Sequence, residues 1–256
     1  MVVLTFDTTR NPRITMMERD RMTDTGRATL ESRIAELENR IGMMEDVHQI
    51  RCLQHAYGYY IDKCLYDEAS DLFSENARLR FLNGIFIGKK GVRRLYCEWF
   101  RNYFTDGYNG PVYGFLLDHL ILQDIIHVAP DRQSAKGRFR ALMQGGTHNS
   151  RPPVPGLPTA CWEGGIYEHG YVKEDGVWKL GDFNYTMLWQ ADYHKGWDGD
   201  EAHLHPLEKL YPEDPRGPDE FVDGWQQVWP HTQVVPFHYP HPVTGKYWQE
   251  APRPAK

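Results

Sequence analysis

The sequence predicts an α+β fold in which helices come first and an antiparallel sheet follows. Three observations predict it. Apolar residues recur at helical spacing over two stretches in the first third of the chain. Four strand-like runs then crowd the region from residue 114 to 189. Two connections carry hairpin chemistry, and helix and strand do not alternate regularly.

Residues 1–29 are polar and read as an irregular arm. From Leu30 a pattern sharpens: Leu30, Ile34, Leu37, Ile41 and Met44 step by four and three with Arg and Glu between them, an amphipathic helix with a narrow seam. It is long enough to pack on a neighbour but too short to establish a coiled coil. A break is expected near Gly42 to Asp46.

His48 to Phe73 then reads as the helix around which the chain is organised. Ile50, Leu53, Tyr57, Tyr60, Ile61 and Cys64 make its buried face, while His55, Tyr59, Asp62 and Tyr66 recur on a neighbouring one. A carboxylate among phenols on a largely buried helix is costly unless something pairs with it. That stripe is the first place to look for chemistry.

Ala77–Phe81 and Ile85–Ile87 flank Leu82, Asn83 and Gly84, a hairpin signal with Asn-Gly at its tip. A short helix with Val92, Leu95, Tyr96, Trp99, Phe100 and Tyr103 on one side follows. Strands are expected over Gly114–Val128, Ala135–Gln144, Glu163–Lys173 and Val177–Trp189, the last two joined through Glu174, Asp175 and Gly176. The Pro/Gly-rich segment between the middle two is long enough to be functional. Residues 30–191 thus form one domain. Residues 192–256, rich in Pro, His and aromatics, read as an extension that wraps the domain or a neighbouring subunit.

Composition bounds the function. Of 256 residues 41% are hydrophobic, enough for a core, and the formal charge of −6 with no compensating basic run excludes nucleic acid as a default partner. The 8 Trp, 15 Tyr and 11 Phe suit a pocket for a flat apolar ligand. Cys52, Cys64, Cys97 and Cys161 lack paired spacing and read as reduced structural thiols. No apolar run approaches the roughly 20 residues needed to span a bilayer, and the N-terminus has no leader-like core, so a soluble, cytoplasmic protein with no membrane partner is expected.

LESRIAELENRIGMMEDVHQIRCLQHAYGYYIDKCLYDEASDLFSENARLRF, GKKGVRRLY, DHLILQDIIHV with KGRFRAL, and YVKEDGVWKLGDF together resemble the SnoaL-like branch of the nuclear transport factor 2 superfamily, over residues 30 to 190. The resemblance implies a cone-shaped α+β barrel: helices packed in a curved antiparallel sheet, with a pocket between them. It also implies cofactor-free dehydratase, isomerase, cyclase or dehydrohalogenase chemistry. In size and ends the chain is similar to the diarylpropane γ-formaldehyde lyases of lignin-degrading sphingomonads.

By that resemblance Asp62 matches the family's helix carboxylate, Tyr57 the residue five before it, and His119 the pocket histidine. Helical geometry favours Tyr59 over Tyr57, because a three-residue step shares a face with Asp62 and a five-residue step diverges by about 140°. The basic residue expected after the final-strand Trp is missing, since Asp182, Phe183 and Asn184 follow Trp178. Arg78 or Lys89 is expected to supply the positive charge. The catalytic candidates are therefore Tyr59, Asp62, His119, Arg78 and Lys89, and the substrate-binding candidates Tyr57, Trp99, Tyr167, His169 and Tyr185. Arg78 and Arg80 share a strand face of the kind that is usually solvated. Tyr167, His169 and Tyr171 alternate onto one face, which lines either the pocket or the far side of the sheet.

No metal or other cofactor is expected. Of the 12 His, the pairs His203-x-His205 and His238-x-x-His241 sit in Pro-rich loops without the surroundings of a metal site. The expected activity is a lyase releasing formaldehyde from an aromatic, phenolic substrate. The alternatives are a dehydratase or isomerase of a polyketide, steroid or terpenoid, and a non-catalytic structural subunit of the dioxygenase type. A homo-oligomer, dimer or trimer, is expected.

Overall fold

The structure is a computed structural model. It describes the backbone of residues 16–199, 203–224 and 227–250, and side chains from Gly26 onward within those ranges. The irregular arm expected over residues 1–29 lies outside the described residues as far as residue 15; from Met16 the chain is helical instead.

The chain divides into two compact units, Met1–Glu45 and Asp46–Lys256. The first consists, where described, of helix. Its segment from Ala28 to Arg40 is rich in Ala, Leu, Glu and Arg, the strong helix formers. Helix α1 (Met16–Asp62) is continuous, so the break expected at residues 42–46 does not occur. Gly42 is buried within it. Asp46, which elsewhere competes for backbone at helix ends, has its carboxylate taken by Arg132, Lys173 and Trp178 and leaves the helical ladder undisturbed.

In the second unit α1 ends at Asp62 rather than running on to Phe73. Cys64 adopts a left-handed φ of 53° and turns the chain. Helix α2 (Tyr66–Asp71) follows, then β1 (Phe73–Phe81) and β2 (Gly84–Ile87), whose register of Phe81 opposite Gly84 is the expected hairpin. Helix α3 (Gly88–Arg93), a π-helical segment (Arg94–Phe100) and α4 (Arg101–Thr105) form the next helical stretch.

The long strands β3 (Phe115–Val128), β4 (Ser134–Thr147), β5 (Ala160–Glu174) and β6 (Val177–Asp192) stand close to where the alternation put them. With β7 (Glu220–Phe221) they complete a seven-stranded sheet of order β3-β4-β5-β6-β1-β2-β7. Register shifts between Leu122 and Asp124, at Gly164/Gly165 and at Gly170/Tyr171 bend the strands, which is how a sheet of such length curves. The sheet departs from the antiparallel one expected at one place: β1 pairs parallel with β6. Its other edge is occupied by β2, and it leaves α2 already running alongside β6.

The core is strongly aromatic. Tyr57 of α1 meets Phe73, Tyr167 and Phe183 with ring centroids 4.9–6.4 Å apart, mostly edge to face. The described part of the tail lies on its own domain. Leu207 N–H donates to Asn83, β7 extends the sheet beside β2, and Arg138 donates to the carbonyls of Val235 and Pro236.

Candidate active site

The last turn of α1 and the start of β3 meet at one hydrogen-bonded pair, Asp62 and His119. Asp62 Oδ1 accepts the His119 backbone N–H at 2.6 Å and lies 3.0 Å from His119 Nδ1. Both side chains are nearly enclosed, at 11% and 10% exposure. An ionised carboxylate on Nδ1 holds the ring proton there and leaves Nε2 with its lone pair, the arrangement of a general base. Next to it, burial and then the Asp62 charge push the Asp118 carboxyl above the usual carboxylate range.

His119 opens onto a cavity of about 190 Å³ between α1 and the curved sheet. Its walls are mostly apolar and rich in aromatic rings, among them Tyr57, Tyr96, Phe104, Tyr167, Phe183 and Tyr185. The tyrosine hydroxyls are kept neutral by burial, Tyr57 and Tyr96 sharing a hydrogen bond of 2.9 Å. Leu157 and Pro158 of the Pro/Gly-rich loop close one side, so that loop does contribute to the pocket.

Two ionisable groups besides His119 also face the cavity. Glu163 accepts hydrogen bonds from Tyr185 Oη at 2.8 Å and from Gln190 Nε2; burial pushes its carboxyl up, and those bonds only partly offset it. Gly165 makes the first of these contacts attainable: the Tyr185 ring lies where a Cβ on Gly165 would stand. Arg80, at the end of β1, donates to Leu82 O at 3.3 Å and has no carboxylate partner among the described residues. Partial burial lowers its pKa, since removing a guanidinium from water disfavours its charged form.

The structure thus brings Asp62, His119, Tyr57, Tyr167 and Tyr185 to one place and sends the other candidates elsewhere. Tyr59 is 73% exposed, on an outer groove with His55 on the far side of Asp62. The preference for Tyr59 over Tyr57 therefore reverses: sharing a helix face with Asp62 put Tyr59 outside, because Asp62 sits at the border between the buried and exposed faces. Arg78 points away from the cavity and pairs with Glu220 at 2.7 Å. Lys89 donates to the carbonyls of Ser70 and Asp71 and does not line the cavity.

Trp99 packs edge-on against Phe81 and Phe100 outside the cavity wall. His169 lies behind that wall, its ring 4.1 Å from that of Phe183, with Nδ1 accepting the Asn184 N–H and Nε2 unpartnered. Burial lowers its pKa to about 3, so it is neutral. Arg80, Glu163 and Gln190 were missed. Arg80 shares strand parity with the solvated Arg78, and Glu163 stands at a strand start with no pattern to distinguish it.

Among the described residues no group of three or more His, Cys, Asp or Glu is arranged to hold a metal ion, and no helix is long and apolar enough to cross a membrane. The four cysteines are unpaired thiols, Cys52 exposed and Cys64 buried.

The model of the SnoaL-like domain family matches residues 42–184. No curated protein matches the chain. Among solved structures, a scytalone dehydratase candidate from Novosphingobium aromaticivorans DSM 12444 is 20% identical, covering 62% of this chain and 97% of its own at a TM-score of 0.46. The hexachlorocyclohexane dehydrochlorinase LinA-type3 from Novosphingobium barchaimii LL02 is 16% identical, covering 66% of this chain and 98% of its own, also at 0.46. Neither likeness says anything about chemistry.

Proposed function

The chain belongs to the SnoaL-like domain family, and from the acid–imidazole pair on its cavity wall we propose that it is a lyase working by proton transfer on a small phenolic substrate. The reaction we assign is the conversion of a 1,2-diarylpropane-1,3-diol to a stilbene, with loss of formaldehyde and water. The observation that carries this reading is His119, its Nδ1 held by Asp62, on the wall of an apolar pocket rich in aromatic rings.

The residues divide the work as follows. The Arg80 guanidinium, which pairs with no carboxylate among the described residues, holds the substrate phenolate; Arg78, Lys89 and Tyr59 stand outside the cavity and have no part in this. Electrons from the phenolate oxygen expel the benzylic hydroxyl, and the Glu163 carboxyl in its acid form, which burial favours, donates the proton that makes it water. The product of this step is a quinone methide.

His119 Nε2 then takes the proton of the terminal hydroxymethyl group. The C–C bond breaks, formaldehyde leaves, and the bonding pair restores the aromatic ring as the stilbene phenolate. Solvent carries the proton from His119 back to Glu163. The quinone methide is the electron sink, so the route calls on no metal and no redox cofactor.

Chelator-treated protein incubated with a diarylpropane diol carrying a free para-hydroxyl should yield formaldehyde and stilbene in equal amounts, and the para-methoxy analogue should be inert. Absence of formaldehyde, or a requirement for added metal, would overturn the reading. Loss of water alone, read by product mass, would assign the same site to a dehydratase.

A further inference from the structure

The first unit of the chain carries an apolar seam that is exposed among the described residues. Every residue from Gly26 to Ile41 is exposed. Leu30, Ile34, Leu37, Ile41 and Met44 are exposed at 58, 46, 52, 56 and 74%. A single helix with such a stripe in water is marginal, because packing of an apolar face supplies most of a helix's stability. Something seats on it.

The spacing says what. Steps of four, three, four and three are the d-a-d-a-d positions of a heptad, with Ile34 and Ile41 at a, and Leu30, Leu37 and Met44 at d. Isoleucine at a with leucine at d favours two parallel strands. The flanking charges specify the same arrangement. Arg33 and Arg40 fall at g, Glu38 and Glu45 at e, and all four are exposed. In a parallel, in-register pair each g residue faces the e residue five positions on in the other helix. Arg33 then meets the partner's Glu38, and Arg40 the partner's Glu45. An antiparallel pair would set arginine against arginine and glutamate against glutamate. The seam is bounded by Arg27, which pairs within its own helix to Glu31 at 3.0 Å, and by the exposed His48.

We infer that residues 30–45 bind the same segment of a second copy of this chain as a parallel two-stranded coiled coil. The seam spans little more than two heptads, so the pairing is reversible and its strength can be read by dilution.

Sedimentation of the full chain over a range of concentrations tests it. The expected species is a dimer. Leu37→Glu should convert it to monomer, and Arg33→Glu with Arg40→Glu should weaken association at least tenfold; adding Glu38→Arg and Glu45→Arg should restore it. The charge variants alter only exposed positions, so they read the interface even if Leu37→Glu disturbs the helix. Mild oxidation of Leu30→Cys should give a covalent dimer cross-linked at position 30 by peptide mass.

A monomeric wild type, a trimer, or a mass unchanged by the charge reversals would overturn the inference. So would a Leu30→Cys/Met44→Cys double variant that cross-links only position 30 to position 44, which is the antiparallel answer.

Discussion

One oxygen of Asp62 holds both the backbone N–H and the ring Nδ1 of His119, so a single carboxylate fixes a strand and a tautomer together. Replacing His119 with Ala removes the proposed base but leaves the backbone N–H bond in place. Formaldehyde release should fall by roughly two to four orders of magnitude, the usual yield of general-base catalysis, with the circular dichroism spectrum unchanged. Asp62→Asn keeps an acceptor for the backbone N–H but loses the charge that orients the ring. Its kcat should fall by roughly two orders, with KM little altered.

Glu163 and Arg80 should separate in kinetics. Arg80→Met removes the proposed phenolate partner and should raise KM as well as lower kcat, most for substrates whose phenol is ionised. Glu163→Gln keeps the hydrogen-bonding shape and removes the acid, so kcat should fall with KM nearly constant. Because burial raises the Glu163 pKa, the wild-type rate should decline as pH climbs through that raised value. That limb should vanish in Glu163→Gln. A carboxyl whose folded pKa is raised contributes stability below its unfolded pKa and loses it as pH rises through the folded one. At neutral pH Glu163→Gln should therefore melt higher than wild type while working worse, which thermal unfolding can check.

The site was legible where a local pattern carried it. Asp62 stood out as a carboxylate among phenols on an apolar helix, and His119 as an imidazole on an alternating strand; their meeting follows from α1 lying against β3. What periodicity does not encode is which side of a border residue faces inward. Tyr57 and Tyr59 are about 200° apart around the helix, Asp62 lies between their faces, and only the approach of β3 decides which tyrosine is enclosed.

Arg80 was hidden for a similar reason. Strand parity groups it with Arg78, yet it stands one residue before the end of β1, where it bonds to Leu82 O beyond the strand and faces the cavity. The fold read through better than the site, because strand length, hairpin turns and helix period are local. The exceptions were the uninterrupted α1 and the parallel β1–β6 pair, both fixed by contacts distant in sequence.

Asp46 should anchor the fold. It is buried at 1% exposure and receives Arg132 Nε at 2.6 Å, Lys173 Nζ at 2.6 Å and Trp178 Nε1 at 2.8 Å. Burial alone would raise its pKa, but these three donors hold it at about 2 against an ordinary 3.8. A depressed carboxyl gives its stability above the unfolded pKa and loses it as pH falls through the folded one. A contribution on the order of 2 kcal/mol should disappear between about pH 4 and pH 2. Asp46→Ala removes the buried carboxylate that Arg132 and Lys173 share and should cost about 3–5 kcal/mol in denaturant unfolding at neutral pH. The acid step should be absent from the variant.

Gly58 offers a way to disturb the base without touching it. A Cβ at this position of α1 would stand 3.0 Å from Ile121 Cδ1, 3.2 Å from Ile121 Cγ1 and 3.4 Å from His119 O. Ala favours the helix by about 1 kcal/mol over Gly, and Ile121 can yield by a few tenths of an ångström, so the two effects should leave stability within about 1 kcal/mol of wild type. The strand that yields is the one that carries His119. Gly58→Ala should therefore lower kcat by roughly tenfold with an unchanged melting temperature, since small misplacements of a catalytic group are costly. A variant as active as wild type would mean that β3 absorbs the methyl without moving the imidazole, and that His119 does not depend on its approach to α1.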